Sequence, residues 1–325
     1  MRILPIFATL LIGAALPLSA QSTKTQQYTS ETQPGAVDGT TQATDLKARG
    51  DGYDRMTVPV RISGHGPYRF LIDTGADRTA ISRDLAARLR LSNSEPTTLH
   101  SMTGVSQVGT ANVPVLDLTA KQVRNVEAAL LESDNMGADG ILGLDSLRSQ
   151  RILFDFKRET LTIVPSSSKA NVGGDSIVVT GHIRNGRLIL TEATLDDTAL
   201  TLVVDTGAQV SVGNQALYSR LFRTGRLKKR SGLVELQSVT GEKLVGQYTV
   251  VRKLEVGGVT LKDLPIVFAD SHAFRQLGLH DRPALLLGMN ALRGFEKVSI
   301  DFERRKLKVV LPEEGAVMRN AFASL

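Results

Sequence analysis

The stretches Phe70–Ala76 (Phe-Leu-Ile-Asp-Thr-Gly-Ala) and Leu202–Ala208 (Leu-Val-Val-Asp-Thr-Gly-Ala) decide how this chain of 325 residues folds. In each stretch, three apolar residues predict the end of a buried strand, and Asp-Thr-Gly predicts a tight turn directly after it. Because the same uncommon triplet recurs in the same context, the chain contains a duplicated unit. We expect Asp73 and Asp205 to stand at equivalent strand ends, one in each half of the protein.

Further landmarks recur in the same order in both halves. The matched pairs are Ser101–Gly104 with Ser238–Gly241, Gly143 after an apolar pair with Gly288 after another, and Asp155 between two apolar residues with Asp301. The separation between equivalent residues increases steadily along the chain, as loop insertions between shared elements require. The two halves are therefore predicted to be copies of one unit of ordinary domain size.

The segments within each unit predict an all-β fold with a few short helices. Short apolar runs are separated by turn residues, which indicates hairpins, and helices are expected at 83–91, at 215–221 and after Gly143 and Gly288. The predicted organisation is a signal peptide (1–20), a disordered polar linker (21–50), a first lobe (51–165), a linker (166–174), a second lobe (175–312) and a tail (313–325).

The composition excludes several kinds of chemistry. The chain has no Cys, so it forms no disulfide and uses no thiol. Its five His show no close spacing that would build a metal site, and we expect no metal and no cofactor. Its formal charge is +6, and the one dense basic run, Arg226–Arg230, carries no interleaved aromatic residue. We interpret that run as a solvated loop and predict no nucleic-acid partner.

The N-terminus has the pattern of a secretory signal. Arg2 is followed by the apolar stretch Ile3–Leu16 and then by a small residue, Ala20, at a cleavage position. An uncleaved membrane anchor is the alternative, although Pro5 and Pro17 shorten the usable helix below the length of about 20 apolar residues that spans a bilayer. We expect a periplasmic or secreted protein.

Two turn aspartates brought close together suit proton transfer. Carboxyls a few ångströms apart cannot both be charged, so they share one proton. The ionised carboxylate takes a proton from water, and the protonated one polarises a carbonyl. Gly75 and Gly207 permit the close approach because they lack a Cβ, and Thr74 and Thr206 can hydrogen-bond between the two turns. The alternative is that each Asp only caps the backbone N–H groups of its turn.

These motifs resemble those of pepsin- and retropepsin-type aspartic proteases, over residues 53–312. The Asp-Thr-Gly-Ala turns are similar to those of retroviral proteases, and Gly143–Asp145 and Gly288–Asn290 resemble the Gly-Arg-Asp/Asn segment of that family. Leu144 and Met289 stand where the family usually has Arg. The resemblance implies two tandem lobes related by a pseudo-twofold axis. It also implies an aspartic endopeptidase that uses Asp73 and Asp205.

The resemblance further implies a flap in each half, formed by a hairpin over the substrate. Thr103 and Gly104 fall at one predicted tip, and Thr240 and Gly241 fall at the other. Flap backbone groups would bind a peptide or protein substrate in extended form. Both catalytic halves lie in one chain, so we expect a monomer that is an intramolecular pseudo-dimer.

Some residues depart from the family pattern. Neither flap tip has a Tyr, and Asp77 follows the first turn where Gln209 follows the second. These departures leave a second interpretation open, a catalytically weak peptide-binding or scaffolding protein that retains the protease fold. A processing enzyme with very narrow specificity is a third.

Overall fold

The computed structural model describes residues 46–47, 49–50, 56–118, 121–168, 176–184, 187–227 and 232–312. The predicted signal peptide (1–20), the tail (313–325) and most of both predicted linkers lie outside these ranges. Two described pairs near the end of the first predicted linker are in strands, Leu46–Lys47 and Arg49–Gly50.

The described part of the first half is built mainly from strands. In chain order they are β1 (Leu46–Lys47), β2 (Arg49–Gly50), β3 (Met56–Ile62), β4 (His65–Ile72), β5 (Ala80–Ser82), β6 (Asn93–His100), β7 (Val105–Leu118), β8 (Lys121–Leu131), β9 (Gly140–Leu142), β10 (Gln150–Asp155) and β11 (Thr160–Pro165). The helices are α1 (Arg83–Arg88), α2 (Ser133–Met136) and α3 (Leu144–Leu147).

The second half repeats this order of elements. Its strands are β12 (Ser176–Thr180), β13 (His182–Arg184), β14 (Arg187–Leu195), β15 (Thr198–Val204), β16 (Ser211–Gly213), β17 (Gly232–Gln237), β18 (Lys243–Val256), β19 (Val259–Phe268), β20 (Ala284–Leu287), β21 (Lys297–Asp301) and β22 (Lys306–Val310). Its helices are α4 (Gln215–Arg223), α5 (His272–Gln276) and α6 (Met289–Leu292). The expected all-β class with short helices is confirmed.

Each half forms one barrel-like lobe. The sheet of the first lobe has the order β2-β3-β4-β9-β5-β8-β7-β6, and β3 pairs in addition with β7. The sheet of the second lobe has the order β13-β14-β15-β20-β16-β19-β18-β17, and β14 pairs with β18. The additional pairing curls each sheet onto itself, which leaves fewer free strand edges. The two lobes therefore have the same topology, strand for strand.

A third sheet joins the lobes. Its order is β1-β11-β10-β21-β22-β12, so hairpins from both halves lie side by side in it. The junction is the antiparallel pair β10–β21, in which Ile152 lies opposite Ile300. Both side chains are buried in a hydrophobic cluster that also includes Ile72 and Val204, the residues directly before the two Asp-Thr-Gly turns. One continuous core thus supports both turns.

The longer helices begin at side-chain caps. The Ser82 hydroxyl accepts the Leu85 N–H at the start of α1, and the Asn214 side chain accepts the Leu217 N–H at the start of α4. Such caps satisfy N–H groups that have no partner within the helix. Within the described residues, no helix is both long and apolar enough to cross a membrane.

Candidate active site

Asp73 and Asp205 stand at the ends of equivalent strands. Asp73 follows β4, and its backbone N–H donates to the carbonyl of Leu142 at the end of β9, at 3.1 Å. Asp205 follows β15, and its N–H donates to Leu287 at the end of β20, at 3.0 Å. The ladder between two buried strands thus continues to the aspartate in both lobes, which fixes the position of each Cα.

Each carboxylate is oriented by its own turn. Oδ1 of Asp73 accepts the backbone N–H groups of Gly75 and Ala76, at 2.7 and 3.0 Å. Oδ1 of Asp205 accepts the two equivalent N–H groups at 3.0 and 3.3 Å. The capping role that a turn Asp can play is therefore present in both turns. The turn N–H groups bond to Oδ1 in both carboxyls.

The two turns lie face to face across the lobe junction. A Cβ placed on Gly75 would lie 2.7 Å from Oδ1 of Asp205, and a Cβ on Gly207 would collide with the Asp73 carboxyl. Each glycine is therefore in contact with the carboxyl of the opposite turn. Both aspartates remain partly exposed, so water can reach them. The glycines are required here because any side chain would push the carboxyls apart.

Thr74 and Thr206 lock the turns together by a reciprocal exchange of hydrogen bonds. The Thr74 hydroxyl donates to the carbonyl of Val204 at 2.9 Å and accepts the Thr206 N–H at 3.0 Å. The Thr206 hydroxyl donates to Ile72 at 2.8 Å and accepts the Thr74 N–H at 3.1 Å. Both threonines are buried. Four hydrogen bonds in a dry interface hold the two turns in one register.

The surroundings of Asp205 raise the pKa of its carboxyl from 3.8 to about 7. Burial is the largest cause, because the enclosing residues displace much of the water that would stabilise the anion, and the nearby Asp73 carboxylate adds repulsion. The positive charge of Arg187 and the turn N–H groups of Gly207 and Ala208 act in the opposite direction. The Asp205 carboxyl therefore keeps its proton up to about neutral pH.

Arg187, which is not among the site residues predicted from the sequence, reaches from β14 of the second lobe to the turn of the first. Its Nε and Nη2 donate to the carbonyl of Gly75 at 3.0 and 2.6 Å. Its Nη1 lies 3.3 Å from Oδ1 of Asp77 as an ion pair without hydrogen-bond geometry. The Asp77 side chain is about half exposed, whereas Arg187 is largely enclosed. A charge from one lobe is thus fixed against the turn of the other.

The segments after β9 and β20 brace the turns from behind. The Asp145 carboxylate accepts the N–H and the hydroxyl of Thr79, at 3.0 and 2.7 Å. Asn290 does the same for Ser211, with its side-chain oxygen 2.8 Å from both donors. These contacts give the Gly143–Asp145 and Gly288–Asn290 motifs a structural role beside the turns.

Leu144 and Met289, which stand where the family usually has Arg, are both buried in the hydrophobic core. Their backbone N–H groups donate to the carbonyls of Ala76 and Ala208, at 2.9 and 2.8 Å. The backbone still binds the turn at these positions, while apolar packing occupies the space of a charged side chain. Arg187 brings a guanidinium to the lobe junction from a different place in the sequence.

The first predicted flap is the β6–β7 hairpin, with Thr103 and Gly104 in its bend. The bend is held internally, since Ser101 N–H donates to the carbonyl of Gly104 at 2.8 Å. It also contacts the second lobe, because the carbonyl of Met102 accepts the backbone N–H of His272 at 2.8 Å. The flap tip is thus attached to the lobe opposite its own.

The second predicted flap is the β17–β18 hairpin, with Thr240 and Gly241 in its bend. Gly241 adopts a positive φ of 85°, which favours glycine, and a Cβ there would lie 2.8 Å from the Asn135 side chain of the first lobe. Gln237 donates to the same Asn135 side chain at 3.0 Å. Each flap therefore bonds to the opposite lobe.

The two flaps also meet each other. The hydroxyl of Thr103 donates to Oε2 of Glu242 at 2.5 Å, and Ser106 contacts Oε1 at 3.4 Å. Glu242 is exposed and directly follows the second flap tip. The structure therefore has the two hairpins in contact with each other as well as with the opposite lobes.

Two His residues form a pair that was not predicted from the sequence. Nδ1 of His100, at the end of the first flap strand, lies 3.0 Å from Nε2 of His272 at the start of α5. The two residues are far apart in the chain, so spacing carried no signal of their contact. Among the described residues, no group of three or more His, Asp or Glu side chains is arranged to hold a metal ion.

Comparison with known protein families gives two matches in tandem. Residues 58–149 match the family model described as “gag-polyprotein putative aspartyl protease”. Residues 191–291 match a second family model, described as “Aspartyl protease”. Each match contains one Asp-Thr-Gly turn and one of the two flap hairpins. No curated protein matches the chain at a significant level.

Proposed function

This chain belongs to the retropepsin-like aspartic proteases, and we propose that it is an aspartic endopeptidase in which Asp73 and Asp205 together activate one water molecule. The observation that carries the proposal is the contact of each turn glycine with the carboxyl of the opposite turn. That contact leaves the two carboxyls as neighbours, and both aspartates are partly exposed. It supports a pair that acts as one acid–base unit.

The two carboxyls have different roles in this mechanism. With its pKa near 7, Asp205 is protonated in mild acid and donates a hydrogen bond to the oxygen of the scissile carbonyl. Asp73 is the ionised member and takes a proton from the bound water as its oxygen attacks the carbonyl carbon. Asp73 then passes the proton it took from water to the leaving nitrogen, the oxyanion reforms the carbonyl as the C–N bond breaks, and the pair of carboxyls is left with the single proton of Asp205.

The substrate is a peptide or protein segment in extended form. The β6–β7 and β17–β18 hairpins contact each other and the opposite lobes, and an extended chain beneath them would pair with flap backbone groups as an added strand. Thr103, Gly104, Thr240 and Gly241 are the flap positions we assign to this contact. Because one chain supplies both aspartates, we propose that the monomer is active and works as an intramolecular pseudo-dimer.

We also propose that the protein acts outside the cytoplasm, in the periplasm or as a secreted enzyme. The support is the sequence pattern of residues 1–20 alone, which lie outside the described residues. N-terminal sequencing of the protein recovered from the periplasm and the medium tests it. A mature N-terminus shortly after Ala20 would agree, whereas intact protein in the cytoplasmic fraction would contradict it.

The decisive experiment replaces each aspartate separately. Asp73→Asn and Asp205→Asn are compared with the surface control Asp281→Asn on an unstructured protein substrate between about pH 4 and pH 7. We expect both active-site variants to lose about 10²- to 10⁴-fold in kcat/KM, and the control to match the wild type. A statine-type inhibitor should abolish the wild-type activity. Wild-type turnover in either active-site variant would overturn the proposal.

The rival function, peptide binding with little turnover, predicts a different pattern. In that case the wild type would bind the inhibitor and cleave nothing, and Asp73→Asn would change binding without changing cleavage. A processing enzyme with narrow specificity would also leave a generic substrate intact. A library of peptides, read by mass spectrometry, separates this third outcome because at least one sequence would then be cleaved in a manner that depends on Asp73.

A further inference from the structure

The tip of the first flap is attached to the start of α5 in the second lobe by two hydrogen bonds to one backbone carbonyl. The carbonyl of Met102 accepts the N–H of His272 at 2.8 Å and the hydroxyl of Ser271 at 3.0 Å. Ser271 is also the N-terminal cap of α5, so both donors to the Met102 carbonyl belong to the start of a helix. Opening of this flap requires that both bonds break.

A pair of imidazoles reinforces the attachment. Nδ1 of His100 and Nε2 of His272 lie 3.0 Å apart, and the two rings are nearly parallel, with an interplanar angle of 6° and centroids 5.3 Å apart. A hydrogen bond between two ring nitrogens needs one donor and one acceptor. It therefore forms when at least one ring is neutral, and it is lost when both rings are protonated, because both nitrogens then donate and the two cations repel.

We propose that His100 and His272 are positioning residues that hold the first flap closed over Asp73 and Asp205 while at least one imidazole is neutral, and that double protonation in acid releases the flap. The inference rests on the proposed function, since it assigns the closed hairpin to the cover of a proteolytic site. The contact between His100 of the first lobe and His272 of the second would thus weaken as the proton concentration rises.

The charges around the pair favour the neutral form of His272. Burial lowers the pKa of His272, and the nearby His100 and the positive charge of Arg275 on α5 act in the same direction. Arg275 is itself paired with Asp270, at 2.6 Å. On the second flap the carboxylate of Glu242 is bonded to Thr103 rather than to either imidazole. Among the described residues, the pair thus has no bonded carboxylate to offset a second proton.

The sign of the pH effect follows from these surroundings. In the closed flap the pKa of His272 lies below its ordinary 6.5, whereas in an open flap the ring is hydrated and returns towards that value. The closed state therefore binds fewer protons than the open state. Closure is strongest above about pH 6.5 and weakens as the pH falls below it. Release begins in the range where Asp205 is already protonated.

Hydrogen exchange at one backbone amide tests the proposal directly. The His272 N–H is a partner in the attachment, so its protection, measured by NMR, reports closure without any substrate. After correction for the intrinsic exchange rate, we expect its protection factor to fall about 5- to 10-fold from about pH 7.5 to about pH 5. Protection that does not change with pH would overturn the proposal.

Two variants separate the imidazoles from other titrating groups. In the double variant His100→Gln/His272→Gln the side-chain amides can still pair but do not titrate, so residue 272 should keep the same protection at both pH values. The single variant His100→Gln should reduce the pH dependence without removing it, because an amide oxygen accepts from either form of His272 while burial and Arg275 still lower the pKa of His272. His280→Gln, which changes an exposed His away from the flap, should retain the wild-type pH dependence. A pH dependence that persists in the double variant, or one of wild-type size in His100→Gln, would contradict the assignment.

Kinetics then distinguish failure of this inference from failure of the proposed function. If the protein is a protease, the double variant should show a lower kcat/KM than the wild type in acid, because its flap no longer opens there, with little difference near neutral pH. If the His272 N–H shows pH-dependent protection but the protein has no proteolytic activity, the proposed function is refuted and the role of His100 and His272 stands. If the protein is a protease but the protection does not depend on pH, only the role of the two His residues is refuted.

Discussion

Arg187 of the second lobe and Asp77 of the first form an ion pair across the lobe junction, with Nη1 and Oδ1 3.3 Å apart. The same guanidinium donates twice to the carbonyl of Gly75, inside the first Asp-Thr-Gly turn. Gln209 stands where the second turn would need an equivalent acid. The ion pair therefore makes the two halves of the site chemically unequal, although their backbones follow the same topology.

Replacement of Arg187 should change the pH range of activity. The positive charge of Arg187 lowers the pKa of Asp205, so in Arg187→Gln that pKa rises and the Asp205 proton is retained to higher pH. We expect the basic limb of the kcat/KM profile to move upward by about half a pH unit. Arg187→Lys keeps the charge and should leave the limb in place, while it loses the paired donation to Gly75. An unchanged limb in Arg187→Gln would contradict the assigned electrostatic role.

Substitution of the glycine in the second turn should separate the carboxyls. A methyl group at Gly207 would occupy the position of the Asp73 carboxyl. We expect Gly207→Ala to lose about 10²-fold or more in activity and about 1–3 kcal/mol in the free energy of unfolding. Gly232→Ala is the matched control, because a Cβ there has no atom within 4 Å. Normal activity in Gly207→Ala would mean that the two turns do not need this contact.

The reciprocal hydrogen bonds between the turns of Thr74 and Thr206 should contribute to stability through the two hydroxyls. Thr74→Val removes one donor and one acceptor from a buried interface, and it leaves the carbonyl of Val204 and the N–H of Thr206 without partners. We expect a loss of about 2–3 kcal/mol in urea unfolding. Thr74→Ser retains the hydroxyl and should recover most of that loss. Equal losses in the two variants would assign the effect to the methyl group instead.

Asp205 should make the protein less stable as the pH rises. Its folded pKa of about 7 exceeds the ordinary value of 3.8, so between these values the folded state binds more protons than the unfolded state. The stabilising contribution of the protonated carboxyl is complete below about pH 4 and is lost as the pH approaches 7. Asp205→Asn should therefore raise the free energy of unfolding above pH 7 by about 1–3 kcal/mol while it abolishes activity. Urea titrations at several pH values, with Asp281→Asn as the control, measure this difference.

Much of the fold follows from local pattern. The apolar runs before Asp73 and Asp205 end buried strands as expected, and helices occur where they were predicted, at Arg83–Arg88 and Gln215–Arg223. Short helices also follow Gly143 and Gly288. These elements depend on neighbouring residues and on burial of one face, and both are visible in a window of a few residues.

The pairing of strands between the lobes was harder to predict from the sequence. Strands β10 and β11 follow the first lobe in the chain, yet they join β21, β22 and β12 in a shared sheet. The Leu153 and Ser299 regions are opposite each other because the two lobes pack in one particular register. A hairpin pattern identifies two neighbouring strands, but it carries no information on which distant strand completes the sheet.

The sequence by itself determined that there are two Asp-Thr-Gly turns at the ends of buried strands, because a turn that must admit a neighbouring carboxyl requires glycine and a strand end requires an apolar run. Only the tertiary structure decided which side chains complete the site. Arg187 reaches Gly75, and His100 meets His272, because two folded barrels are packed face to face. Contacts of this kind depend on the relative placement of whole lobes, and no local spacing encodes them.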